Sequence, residues 1–332
     1  MSETMQSVQQ FDVSRAVLQD YGSAFSPARL DVKAVQPLDV ALAAGRLAPD
    51  APLLTFEIGG ALHTVPMSTV LAYNVMQGAL ADGQPWMMTF CNACNTGVVF
   101  DPRLNGRLLH FQRRGAYDGL MLIFDEETGS YWQHIRGKCL YGPSAGARLP
   151  MLAATRMMTA REAAQHREAW LPVHDLSETQ RHFAHSMEKM RANPATVEAV
   201  IAASIGAEDT RRPRFELGLG VWAESGTLFV PVSTLYAQNN AVVTRFGGRG
   251  LVIYVAEDAI SPTAVYAETE TARWEGDALR LDGGRVIRHD ALYESREAAV
   301  PRLVERPNQL LVRWFGFSST FPGCAVLPVQ AS

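Results

Sequence analysis

Val65-Pro66-Met67-Ser68-Thr69-Val70-Leu71-Ala72-Tyr73-Asn74 and Val230-Pro231-Val232-Ser233-Thr234-Leu235-Tyr236-Ala237-Gln238-Asn239 lie 165 residues apart and align without a gap. Val65, Pro66, Ser68, Thr69, Ala72 and Asn74 recur in the second stretch, and Gly83 recurs as Gly248. That makes seven identities in nineteen positions, where chance gives roughly one or two. Upstream, Phe56, Glu57 and Gly59 resemble Phe215, Glu216 and Gly218 at a slightly different offset; downstream, the apolar run 86–90 matches 251–255. A repeated strand–turn–helix unit is the expected reading.

Working outward, residues 56–58 and 62–65 flank a Gly-Gly turn and read as a hairpin. Runs 86–90, 96–100, 107–112, 120–124 and 131–135 read as further strands, with Asp101-Pro102 and Asn105-Gly106 marking turns. Thr159 with Glu162 and Ser177 with Gln180 are capping-box pairs, and 178–192 and 195–205 are helical in period. The expected fold is therefore α+β and β-rich, with two pseudo-repeated antiparallel sheet units linked by a helical segment. Its divisions are 1–52 (a short amphipathic helix candidate and connections), 53–154 (first β unit), 155–212 (helical linker or insertion) and 213–332 (second β unit).

Composition narrows the function. Hydrophobic residues make up 47% of the 332, enough for a sizeable core. A net charge of −4 without long single-sign runs argues against nucleic acid as partner, since phosphate binding needs a basic field. No window approaches the roughly 18 apolar residues of a membrane span, and the first residues lack a basic segment followed by an apolar one. The expectation is a cytoplasmic chain without membrane partners, its four cysteines (Cys91, Cys94, Cys139, Cys324) mostly reduced.

The chemistry-bearing segment is Thr89-Phe90-Cys91-Asn92-Ala93-Cys94-Asn95-Thr96-Gly97. Two thiols at this spacing can close a small disulfide ring and exchange two electrons, face one soft metal ion, or simply line a turn. In the redox case Cys91, fixed by the preceding strand, is expected to attack and Cys94 to resolve, with Asn92, Asn95 and Thr96 donating to a thiolate. In the metal case copper or zinc is expected, with His110, His134 or Cys139 completing the set from neighbouring strands. Alternation puts His110 on the face of Leu108 and Gln112, and His134 on that of Trp132. Trp132, Gln133, Gly142 and Pro143 are expected to line a pocket, and His182 and His185 to occupy a solvated helix face. The offset of 165 sets Cys91 against Ala256 and Cys94 against Ala259, so the thiols belong to one copy alone.

In order, these residues resemble an uncharacterised prokaryotic family, domain of unknown function 3179. The resemblance rests on the Cys91–Cys94 segment with the strand ending Phe100-Asp101, and on the Gly106-to-Phe111 and Leu120-to-Asp125 runs. Thr128-Gly129-Ser130, Trp132-Gln133, Gly142-Pro143-Ser144-Ala145-Gly146, Trp314-Phe315-Gly316-Phe317-Ser318 and Phe321-Pro322 complete it. The chain departs from the family at 71–76, where members commonly carry His-Glu and Asn-Asp. Some members carry selenocysteine in the Cys-x-x-Cys segment, which implies redox chemistry. The resemblance thus favours an oxidoreductase-like protein acting on a small-molecule or thiol substrate. A thiolate-ligated metalloenzyme and a non-catalytic binding scaffold remain the alternatives.

Overall fold

A computed structural model of the chain describes residues 11–19, 29–166, 168–256, 259–288 and 290–327. Parts of the region holding the N-terminal helix candidate, 1–10 and 20–28, lie outside them; a short helix at Leu38–Ala43 lies within. The protein is β-rich α+β, as its alternating apolar runs require. Among the described residues no helix is long and apolar enough to cross a membrane.

The chain forms two compact units, each assembled from separated segments. One comprises 1–33, 68–153 and 174–208, the other 34–67, 154–173 and 209–332. Chain order alone divides the protein at 154 and 213. The compact units cross that division because 154–173 is largely sheet. Arg156–Thr159 pairs antiparallel with Pro52–Ile58, and Ala169–Pro172 pairs parallel with Ala61–Pro66. The helical part of the expected linker comprises the short helix Ala160–Ala163 capped by Thr159, the helices Glu178–Ala192 and Glu198–Ser204, and a 3-10 turn at Pro194–Val197. Ser177 and Gln180 form the capping box that starts the longer helix.

Among the described residues the first compact unit holds two five-stranded sheets and the small hairpin of Arg103–Leu104 with Arg107–Leu108. One sheet orders Met151–Ala154, Thr96–Phe100, Pro85–Cys91, Val75–Ala79 and Leu30–Asp31 side by side; the other is a meander of Val17–Leu18, Phe111–Tyr117, Leu120–Asp125, Tyr131–Gln133 and Cys139–Tyr141. Phe90, Phe100, Phe111 and Trp132 are fully buried, and Phe111 meets Trp132 edge to face at 5.8 Å. The Trp132 indole N–H donates to the buried Asp125 carboxylate at 2.7 Å. Two expected strands are shorter than their apolar runs. His110 lies between Arg107–Leu108 and Phe111–Tyr117, and His134 lies in the turn after Tyr131–Gln133. His110 still shares the less buried face with Leu108 and Gln112, between buried Leu109 and Phe111, and its carbonyl accepts from the Glu126 N–H at 2.9 Å; His134 sits in the turn that the Gln133 N–H closes on Lys138 O.

In the second compact unit, Pro52–Ile58 and Ala61–Pro66 pair with Leu53 opposite Pro66 and Ile58 opposite Ala61. Leu217–Ala223 and Gly226–Pro231 pair with Gly218 opposite Pro231 and Ala223 opposite Gly226. Both hairpins have the same register at an offset of 165 residues. Helices Met67–Tyr73 and Val232–Ala237 follow them. Downstream, Asn308–Arg313 pairs antiparallel with Leu217–Ala223, and Ala325–Val326 pairs parallel with Gly226–Pro231. Between them the buried helix Trp314–Thr320 carries the Trp-Phe-x-Phe-Ser residues, with Phe229 against Trp314 and Phe317. Those aromatics are core, not site.

The meander sheet bulges at Arg113–Gly115, and Gly115 has φ 143°. A Cβ there would stand 2.0 Å from the Val17 carbonyl oxygen, so only glycine lets the Val17–Leu18 strand pair with Ala116 and Gly115. Gly115→Ala is expected to lower stability by about 1–3 kcal/mol in urea unfolding. It should also speed hydrogen exchange at the Gln19 amide, which donates to Arg114 O.

Candidate functional site

Cys91 is the last residue of the Pro85–Cys91 strand and faces Thr96 across the turn that carries Cys94. Asn95 closes this turn with φ 58°, a left-handed conformation that asparagine tolerates better than most residues. The Cys94 N–H donates to Cys91 Sγ at 3.1 Å, and the two sulfurs form a disulfide across a Cα separation of 5.3 Å. Cys94 Sγ lies 3.8 Å from the Gly119 carbonyl oxygen. Cys139 and Cys324 are free thiols.

The turn is fixed from behind by Asn74, also left-handed at φ 62°. Its amide donates to Phe90 O at 2.9 Å and to Asn92 Oδ1 at 2.7 Å, and its carbonyl accepts from the buried Arg113 guanidinium. From the front the helix Glu178–Ala192 reaches the same turn. Arg191 donates to Asn95 Oδ1 at 3.0 Å, and the Phe183 ring stacks 5.2 Å from the Arg113 guanidinium carbon. The predicted loop residues Asn92, Asn95 and Thr96 are all buried. The two asparagine carbonyls accept hydrogen bonds from this framework.

His134 is the residue the fold adds to the cysteines. One of its ring nitrogens and the two sulfurs all lie within 4.8 Å of one another. Exposure is 3% for Cys91 and 0% for Cys94 and His134. Neither His134 ring nitrogen has a hydrogen-bond partner among the described residues. An unsatisfied buried polar group costs about 1–3 kcal/mol, so two on one ring point to a ligand. Burial alone pushes the imidazole down to about 3, which keeps it neutral and able to offer a lone pair.

The other expected donors lie elsewhere. His110, 41% exposed on its side chain, pairs with Glu127 through Nδ1 at 2.6 Å. Cys139 is buried, and burial pushes its thiol up to about 11, a poor source of thiolate. Neither joins the three-residue cluster. Trp132 is bound to Asp125, and Gln133 accepts from the Arg136 N–H at 2.6 Å. Gly142, at φ 102°, packs on Ser130, exposed Pro143 follows it, and the Ser144 N–H donates to Ser130 Oγ at 3.1 Å. His182 and His185 are exposed on their helix. Sequence reasoning did not single out Arg113, Phe183 or Arg191; the one available signal was the repeat identity of Asn74.

The family described as Protein of unknown function (DUF3179) matches residues 33–317 of this chain. The match covers nearly the whole chain, and the protein belongs to that family. No curated protein and no solved structure matches it.

The buried imidazole has a pH signature. Its folded pKa is depressed from the usual 6.5 to about 3, so the stability it contributes is complete above 6.5 and is lost as pH falls from 6.5 toward 3. In chelator-treated, disulfide-bonded protein, acid should therefore erode stability with a slope from this group of at most about 1.4 kcal/mol per pH unit. His134→Phe should flatten that part of the profile, as read by urea unfolding across the same range.

Proposed function

We propose that Cys91, Cys94 and His134 form a thiolate–imidazole metal centre. The observation that carries this reading is the His134 ring, buried with both nitrogens unpartnered beside two sulfurs. Two donors bound at about 2.0–2.3 Å to one ion are at most about 4.6 Å apart, so the cluster needs mainly a separation of the sulfurs. Soft thiolates select copper, zinc or iron–sulfur clusters, and two cysteines are too few for the usual cluster ligation. The Cys94 N–H and the Asn74–Asn92 and Arg191–Asn95 bonds hold the loop around the donors.

A second reading is a dithiol/disulfide couple, favoured by the Cys91–Cys94 bond itself. In that reaction the two thiols exchange with a small-molecule disulfide. The substrate S–S bond breaks, the Cys91–Cys94 bond forms, and both protons leave on the two product thiols. Burial of both sulfurs restricts the partner to small molecules.

We also propose that the chain is an old duplication. The common hairpin register, the left-handed Asn74 and Asn239, and the strand–helix–parallel-strand returns support it. Each copy also continues into a meander. The turn after Val286–Arg288 in the second meander holds Asp290, which pairs with Arg156 and accepts from the Tyr254 hydroxyl at 2.9 Å. On this view a guanidinium supplies in one copy the positive charge that the other takes from a metal ion.

Protein purified without a histidine tag and under reductant is expected to hold about one metal ion per chain by elemental analysis, with Cys91 and Cys94 protected from alkylation. The Cys91→Ser, Cys94→Ser double variant should lose it, and His134→Ala should weaken it more than about tenfold. Metal that survives the double variant refutes the centre. For the couple, iodoacetamide should label Cys91 (3% exposed) faster than Cys94 (0%) in reduced, metal-free protein. Equal, slow labelling of both would remove that reading.

A further inference from the structure

We infer that the ion this centre takes is monovalent copper, held three-coordinate by the two sulfurs and one His134 nitrogen. The inference rests on the metal reading above and adds the identity and geometry of the ion. Its first ground is the donor count. Among the described residues, no fourth histidine, cysteine, aspartate or glutamate joins Cys91, Cys94 and His134. Zinc is almost always four-coordinate, completed in structural sites by a fourth side chain and in catalytic sites by water or substrate.

The second ground is burial. Cys91 is 3% exposed and Cys94 and His134 are 0% exposed, so the donors have little or no contact with solvent from which a water ligand would come. A cuprous ion has a filled d shell and is satisfied by two or three soft donors, which thiolates supply. A neutral imidazole completes a trigonal set without adding charge.

The third ground is charge. Two thiolates and a monovalent ion carry one net negative charge into a buried turn, whereas a divalent ion would leave none. Arg113 is buried and donates to Asn74, whose amide donates to Asn92 beside Cys91. A cation is thereby tied to the turn through one asparagine, where it offsets the charge of a cuprous centre. The same bonds hold the loop rigid, which suits an ion that accepts a low coordination number.

The test uses the full, tag-free chain, reduced and kept anaerobic. It is titrated with copper(I) against a bicinchoninate competitor and, separately, with zinc(II), followed by gel filtration and X-ray absorption at each metal edge. The expected result is one copper per chain with two sulfurs and one nitrogen in its shell, and zinc lost on the column. Zinc retained stoichiometrically with a four-donor shell overturns the copper assignment while leaving a metal centre in place. A copper shell with sulfur alone, unchanged in His134→Ala, overturns the role of the imidazole. Retention of neither ion by protein with both thiols free overturns this inference and the metal reading together.

Discussion

Asn74 holds the site together. Its N–H closes the helix Met67–Tyr73 on Val70 O, its backbone oxygen accepts from Phe90 N, and its side chain binds Phe90 O, Asn92 and Arg113. A left-handed backbone is what lets one residue end a helix, begin the Val75–Ala79 strand and still turn its amide toward the cysteine turn. Without these bonds the strand end that carries Cys91 and the loop that carries Cys94 would have separate anchors. In the similar stretch after Gly226–Pro231, Asn239 has the same left-handed conformation, and Asn240 O accepts from Val255 N. There the same backbone device ends a strand that leads to no thiol.

The cluster shows how a fold makes donors costly to leave alone. Burial keeps His134 neutral, and the absence of a hydrogen-bond partner among the described residues leaves its lone pair unused. Water would satisfy such a ring at the surface. Here two sulfurs lie within 4.8 Å of the ring, weak hydrogen-bonding groups but strong ligands once reduced and deprotonated. The polar residues around the turn take a different part. Asn92 and Asn95 spend their carbonyls on the framework, so they position the loop and do not ligate.

The same economy of roles separates the two groups of family-like residues. Trp132, Asp125, Thr128, Ser130 and the Gly142–Gly146 loop bind one another through Trp132 Nε1, Thr128 Oγ1 and Ser130 Oγ. Trp314, Phe315 and Phe317 fill the core of the other compact unit. These patterns are legible as sequence because packing and buried hydrogen bonds dictate residue type as strictly as chemistry does.

The sequence by itself determined the β-rich character, the hairpins, both helix caps and the cysteine turn. Each is local: alternation, Gly-Gly and Asn-Gly turns, Ser177 with Gln180, and two cysteines three apart. It placed His110, His134 and Cys139 on equal terms as partners, because all three lie in or beside the same meander and chain distance does not rank them. Only the tertiary structure separated them. It gave His110 to Glu127, buried Cys139 by its own strand, and carried His134 past the end of its strand to the sulfurs. It also decided that 154–173 returns as sheet to the first hairpin, since strand pairing between residues about 100 positions apart follows from packing that no local pattern encodes.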